Sequence, residues 1–206
     1  GAGRGTDAGR AVPRKTQQTL KRTNFSSRGL ALTMHLVDKI RSCHEALAAA
    51  QVPHAFGGAL ALAWCTGSAR GTIDIDVNLF VGKDQIPRVL QALPNGVTWT
   101  QTDRKRLQRD LQHRLWWQQT PLDLFFNSTD YHDDLLQRIH WEDFAGSKLP
   151  FISCQDVAVF KVFFDRTKDW ADLEAMRDAG TLDMAFVGGV IRRYLGEDDP
   201  RLTRLA

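Results

Sequence analysis

With 206 residues, 43% of them hydrophobic and 25% charged, the chain can bury the core of one ordinary domain, or of a small catalytic half and a helical half sharing an interface. No apolar run approaches the roughly 18 to 20 uncharged residues that span a bilayer, and the start lacks the apolar stretch of a secretory signal, so the expectation is a cytoplasmic protein with no membrane partner. The formal charge of +3 is mild but unevenly placed, with positive charge gathered in the first thirty residues.

Residues 1–29 carry Arg4, Arg10, Arg14, Lys15, Lys21, Arg22 and Arg28 against Asp7, amid Gly, Ser, Thr and Gln. Such a segment buries too little apolar surface to hold itself, and a flexible basic arm is expected. From Leu30 to Ala50 apolar positions recur at helical spacing, and His54-Ala55-Phe56 reads as a short strand stopped by Gly57-Gly58. Ala59 to Trp64 reads as a buried helix opening at that glycine turn. Ile73 to Val81 alternates Ile73, Ile75, Val77 and Leu79 with Asp74, Asp76, Asn78 and Phe80, the period of a strand with one apolar face.

A helix is predicted over Asp84 to Leu93 and a strand over Val97 to Thr100, while the charged stretch Asp103 to Gln112 gives no clear period. Arg114 to Trp117 and Pro121 to Phe126 read as strands joined by a polar turn. The remainder reads as helical after a linker through Gly146 and Pro150. Ser153 with Asp156 resembles a capping box before one helix, a second runs from about Lys168 to Ala179, and a third from about Leu182 to Leu195. The expected organisation is an arm over 1–29, an α/β half over 30–127 and a helical C-terminal half over 128–206. Cys43, Cys65 and Cys154 are odd in number, far apart and without CxxC spacing. They are expected as small core residues in a reducing compartment, with neither a disulfide nor a zinc site.

Asp74 and Asp76, two residues apart on a strand, project from one face, where both stay ionised cheaply only with a cation between them. Hard oxygen ligands without nearby His or Cys favour Mg²⁺, which takes its remaining ligands from water and substrate phosphates. On an ordinary half-exposed strand the same pair is simply a solvated face. The neighbouring parts weigh against that. Gly57-Gly58 lies between a predicted strand and a buried helix, where bare backbone and helix N–H groups can approach a phosphate, and a loop with Arg70 and Thr72 leads into the acidic pair.

The residues Gly57-Gly58-Ala59-Leu60-Ala61-Leu62 and Arg70-Gly71-Thr72-Ile73-Asp74-Ile75-Asp76 resemble the first motif of the nucleotidyltransferase superfamily of the DNA polymerase β type. Within it they are similar to the AbiEii and MenT group of toxin–antitoxin toxins. Lys161, Arg166, Lys168, Asp169 and Asp172 resemble that group's later helical motif, and the likeness covers roughly residues 30 to 195. It implies an α+β fold, with a small mixed sheet flanked by helices followed by a helical half. It also implies a Mg²⁺-dependent enzyme, with two ions in the active complex, that moves a nucleoside monophosphate from an NTP to an acceptor. For this group the acceptor would be the tRNA 3′ end, and a cognate antitoxin would be a partner.

Asp123, an isolated acid in an apolar strand, fits the superfamily's third carboxylate, although it also reads as a strand-end acid facing solvent. Asp74, Asp76 and Asp123 would then hold metal, with Asp123 helping to take the proton from the attacking hydroxyl. Gly57, Gly58, Arg70, Thr72 and Arg166 would bind the nucleotide. Lys161, on an apolar helix face, would clamp the β- and γ-phosphates, or be a snorkelling surface lysine. Asp169 is expected to support Lys161 or Arg166, and Asp183 resembles a further family position that a first-turn helix acid explains equally well.

The run Arg104, Lys105, Arg106, Arg109, His113 and Arg114, followed by Trp116 and Trp117, could track RNA, or be a solvated helix face before core tryptophans. His54, His132 and His140 have no ligand spacing. Two other functions compete with the tRNA-directed toxin. One is a small-molecule, antibiotic-type adenylyltransferase, which a basic acceptor face disfavours for polycationic substrates. The other is a non-catalytic nucleic-acid-binding module.

Overall fold

The computed structural model describes residues 34–68 and 71–206, so the expected basic arm and Arg70 lie outside the described residues. The chain opens with α1 (Leu36–Ala49), whose inward positions Ile40, Cys43 and Leu47 are fully buried at helical spacing. β1 (His54–Phe56) follows, then α2 (Gly58–Thr66), which Gly67 ends in the left-handed conformation. β2 (Ile75–Leu79), α3 (Ile86–Ala92), β3 (Val97–Thr98), α4 (Gln101–Asp110), β4 (Gln112–Trp117) and β5 (Thr120–Phe126) complete the α/β part.

The charged stretch that gave no clear period is α4. Thr100 and Asp103 close a reciprocal capping box at its start, and Leu107 is its buried position, so local capping rather than amphipathic periodicity defines it. Beyond it come α5 (Asp130–Leu135), β6 (His140–Phe144), β7 (Ser147–Phe151), α6 (Cys154–Phe164), α7 (Thr167–Asp178), α8 (Met184–Leu195) and α9 (Pro200–Leu205).

Among the described residues, seven strands form one mixed sheet in the order β3-β4-β5-β2-β1-β7-β6. The stretch expected as a linker is therefore a hairpin, β6–β7, turning at Ala145 and Gly146 with positive φ, and its second strand lies parallel to β1 through Phe56 and Phe151. Its strand character comes from burial of Leu149 and Phe151 against the sheet, a tertiary gain that the local sequence does not advertise. With β6 and β7 counted in the sheet, the expected α+β architecture of mixed sheet, flanking helices and helical C-terminal part is present. Among the described residues no helix is long and apolar enough to cross a membrane.

Each central strand sends alternate residues to opposite faces. Ile75, Val77 and Leu79 of β2 and Leu122, Leu124 and Phe126 of β5 are fully buried on the core face. That leaves Asp76 and Asp123 to share the other face, side by side in the parallel β2–β5 register. Lys39 of α1 is buried beside the β4–β5 turn, donating to the Trp117 carbonyl and the Thr120 hydroxyl, each at 2.9 Å. In the helical part the buried Asp156 accepts from Tyr131 Oη at 2.6 Å and Arg138 Nη2 at 2.8 Å, and it also bonds to the N-capping Ser153. These partners supply what a buried carboxylate requires.

One cysteine expectation is corrected. Cys65, in the last turn of α2, and Cys154, the first residue of α6, form a disulfide with their Cα atoms 5.5 Å apart, while Cys43 stays a free, buried thiol. Sequence spacing could not reveal this, because packing of α2 against α6 brings the two helix ends together across a separation of 89 residues. In the chain-entropy account a cross-link over so long a loop stabilises by up to about 4 kcal/mol. Reduction, or Cys65→Ser, is accordingly expected to lower the melting temperature by several degrees. Equal melting with and without reductant, with the thiol count confirmed by mass spectrometry, would contradict that.

Candidate active site

The glycine turn, the acidic strand and the helices α6 and α7 meet in one cleft of about 800 Å³, lined by Gly58, Asp74, Asp76, Asp123, Lys161 and Asp172 among others. Gly57 donates its N–H to the Asp76 carbonyl at 3.0 Å, which fixes the turn against β2. Gly58, the first residue of α2, has φ +53°, and a Cβ there would stand 2.0 Å from Asp76 Oδ2. Both the conformation and the contact require glycine. The start of α2 thus faces the Asp76 carboxylate side of the cleft with no side chain in between. Thr72 accepts the Asp74 N–H on its hydroxyl at 3.2 Å and so orients the approach to β2.

The three acids come together as the sequence suggests, and their charges are compensated by a residue assigned elsewhere. Arg114 stands opposite Asp123 in the antiparallel β4–β5 pair. It donates from Nε to Asp123 Oδ1 at 2.8 Å and from Nη2 to Asp123 Oδ2 at 2.6 Å, with a further bond from Nη2 to Asp74 Oδ2 at 3.1 Å. Read in the sequence as the end of a basic stripe, Arg114 lies on the cleft face, because alternate residues of β4 point oppositely from the buried Leu115 and Trp117. The paired tryptophans divide the same way, Trp117 being 2% and Trp116 48% exposed.

Asp76 is half-buried, and its carboxyl is pushed up to about 6, first by desolvation and then by the Asp123 and Asp74 charges, against the opposing pull of Arg114 and Lys161. The oxygen-only donor set suits a hard divalent cation, and the crowding at Asp76 is what such an ion would relieve. Asp123 and Asp74 are turned towards Arg114, however. Among the described residues no group of three or more His, Cys, Asp or Glu side chains stands in metal-holding geometry. The residues fit a cation chemically, with Arg114 in the way.

Lys161 is buried on α6 rather than snorkelling, 2.6 Å from Asp172 and 3.5 Å from Asp169. Arg166, at the cleft mouth, binds Asp169 through Nε at 2.6 Å, which holds that carboxyl below its ordinary range despite burial. Asp169 thus serves Lys161 and Arg166, as the sequence suggests. Asp183 caps α8 by accepting from Phe186 N at 2.9 Å, the ordinary role for an acid in that position. His132, unassigned from the sequence, lines the cleft with its ring 5.4 Å from that of Phe160, and burial lowers its pKa. No sequence spacing could have found it.

On α4, Lys105, Arg106 and Arg109 are exposed and Arg104 is half-buried. Arg109 is paired with Asp110 at 2.6 Å. Arg106 lines a second cavity of about 370 Å³ at the sheet edge, together with Trp99, Asp103, Arg114 and Trp116. His113, the remaining member of the stripe, is bonded to Asp103 at 2.8 Å.

No protein family matches the sequence, and no curated protein is significantly similar to it. Among solved structures, the antibiotic-resistance factor ANT(2'')-Ia aligns over 76% of this chain and 89% of its own, with a TM-score of 0.50 and 16% identity. The two share a fold, a mixed sheet flanked by helices with a helical C-terminal part. The lincosamide antibiotic adenylyltransferase LnuA aligns over 68% of this chain and 96% of its own at 15% identity and a TM-score of 0.48. A nucleotidyltransferase-like protein from Paracoccidioides brasiliensis aligns over 81% and 90% at 14% identity and a TM-score of 0.46.

The raised pKa of Asp76 carries a stability prediction with a definite sign. A carboxyl that binds its proton more tightly in the folded state makes folding less favourable as pH rises from about 4 through about 6, and the full penalty applies above that. Asp76→Asn removes the penalty. It is expected to stabilise the metal-free protein at pH 8 by about 1–3 kcal/mol, with the gain fading towards pH 4. Chemical denaturation at the two pH values checks this, and a variant no more stable than wild type at pH 8 would contradict it.

Proposed function

We propose that this protein is a Mg²⁺-dependent nucleotidyltransferase that moves a nucleoside monophosphate from an NTP to an RNA acceptor, with the tRNA 3′ end as the preferred acceptor. On this reading it acts in the cytoplasm as a growth-inhibiting toxin held in check by a cognate antitoxin. The observation that carries the enzymatic part is the convergence of Asp74, Asp76 and Asp123 beside the side-chain-free Gly58 turn, across one cleft from the buried Lys161.

In this reading Asp74, Asp76 and Asp123 hold the metal, with two ions in the active complex. When bound, the metal would supply Lewis-acid polarisation of the phosphate oxygens and would lower the pKa of the attacking hydroxyl. Gly58 and the first N–H groups of α2 approach the triphosphate with the positive end of the helix dipole. Thr72 holds the Asp74 backbone, and Arg70 binds the nucleotide, a role that rests on the sequence likeness. Lys161, kept in place by Asp172 and Asp169, meets the charge that grows on the β-phosphate as the bond to the α-phosphorus breaks, and Arg166 adds a cation at the mouth. The acceptor oxygen forms the new bond to the α-phosphorus, pyrophosphate leaves, and Asp123 helps to take the hydroxyl proton.

The RNA acceptor rests on the exposed cations of α4, Lys105, Arg106 and Arg109 with Arg104, of which Arg106 lines the edge cavity together with the exposed Trp116. Cations tracking phosphates beside a ring free to stack are a common single-strand platform. The toxin role and the antitoxin rest on the sequence likeness to AbiEii and MenT proteins. One observation favours a second reading, transfer to an antibiotic-type small molecule: the aligned solved structure is an antibiotic-resistance factor. The cations around the edge cavity disfavour a polycationic acceptor.

Incubation with each labelled NTP, Mg²⁺ and either total RNA or an aminoglycoside panel separates these readings. Label is expected in tRNA. Asp74→Ala or Asp76→Ala should abolish transfer with the fold intact, and Lys161→Ala should lower NTP use by about ten- to a thousandfold. Label in the antibiotics alone would favour the second reading. Full transfer by either aspartate variant, or no transfer to any acceptor, would overturn the assignment.

A further inference from the structure

The three carboxylates are not left exposed to one another, and the group that compensates them sits on the same oxygens a cation would use. Both oxygens of Asp123 accept from Arg114, and Asp74 Oδ2 accepts from the same guanidinium. We propose that Arg114 is a built-in stand-in for the divalent cation, so that metal binds this site by displacing its guanidinium. This rests on the nucleotidyltransferase reading of the cleft.

The arrangement follows from the sheet. Asp123 pairs with Asp76 on one side and with Arg114 on the other, so the three side chains form a row across β2, β5 and β4. A guanidinium fork matches one carboxylate with two parallel bonds and reaches the next with a free edge, which a lysine ammonium cannot do. Charge balance gives the contact its purpose, because Asp76 lies beside Asp123 in the β2–β5 register, and removing the guanidinium leaves the acids facing one another.

The guanidinium also has somewhere to go. Its side chain is 45% exposed, so leaving Asp123 breaks no core packing. Arg114 lines both the cleft and the edge cavity, where Thr100, Asp103 and Trp116 surround about 370 Å³. Displacement therefore turns a counterion of the acids into a cation at the rim between the two cavities, beside the path of an incoming anionic substrate. Metal alone must compete with Arg114. Metal arriving with a triphosphate brings the guanidinium a new anionic partner, and so the two ligands should bind with positive coupling.

The test is Mn²⁺ binding without nucleotide, read by electron paramagnetic resonance of the free ion, for wild type, Arg114→Gln and Arg114→Lys. Arg114→Gln is expected to bind Mn²⁺ at least about tenfold tighter than wild type, as expected when a competing unit charge a few ångströms away is removed from a partly exposed site. Arg114→Lys should fall between. Should Arg114→Gln fail to fold, wild type supplies an independent reading. The Arg114 Nε–H resonance, identified by its loss in Arg114→Lys, should leave its hydrogen-bonded position as Mg²⁺ is added. Mn²⁺ binding to wild type with no gain in Arg114→Gln, or an Nε–H signal unmoved at saturating Mg²⁺, would overturn the inference and leave the nucleotidyltransferase reading standing. Failure of all three proteins to bind Mn²⁺ at millimolar concentration, with an NTP as well as without one, would overturn that reading and this inference with it.

Discussion

Repulsion among Asp74, Asp76 and Asp123 is the constraint around which this cleft is arranged. Parallel pairing of β2 with β5 places Asp76 directly beside Asp123, and the alternation that buries Ile75, Val77, Leu122 and Leu124 leaves both acids no other face to occupy. Hydrophobic burial on one side of the sheet thus enforces electrostatic crowding on the other. The core supplies the free energy that holds these charges together, and a raised pKa at Asp76 is the visible cost.

The remaining parts of the cleft can be understood as answers to that crowding. Gly58 brings the start of α2 against Asp76 with no Cβ between, so the positive end of the helix lies next to the charge. That helix is fixed at its other end, where the Cys65–Cys154 disulfide joins it to α6 and the Thr181 hydroxyl donates to the Cys65 carbonyl at 2.7 Å. From α6 comes Lys161, itself balanced by Asp172 and Asp169 from α7. Cations and acids alternate across the cleft, and the disulfide ties the glycine-turn helix to the lysine helix at a single point. A polyanionic ligand with its own divalent ion would enter this pattern without leaving a charge unmatched.

Much of this was legible in the sequence because it is local. The Gly57-Gly58 turn, the period of the Asp74–Asp76 strand, the isolated acid at Asp123 and the Ser153 cap before α6 each depend on neighbours a few residues away. The features that escaped depend on pairing across the fold. Arg114 is consecutive with a basic run, and only the β4–β5 register turns it towards Asp123. Cys65 and Cys154 lie far apart in the chain and meet through helix packing. The β6–β7 hairpin gains its place from burial against the sheet, and α4 from a capping box at Thr100 and Asp103 that precedes a helix with little apolar face. Misreadings came where tertiary contact outweighed local pattern.

On the proposed reading Asp74, Asp76 and Asp123 together hold a divalent cation against a bound triphosphate. Diffraction from crystals grown with Mn²⁺ and an NTP analogue that cannot be cleaved between its α- and β-phosphates tests it most directly, since anomalous scattering locates the ion without assumption. The account predicts an anomalous peak within oxygen-ligand distance of Asp74, Asp76 and Asp123, with the analogue's phosphates between that peak and Lys161. An analogue bound with its phosphates elsewhere, or a peak away from these carboxylates, would contradict it.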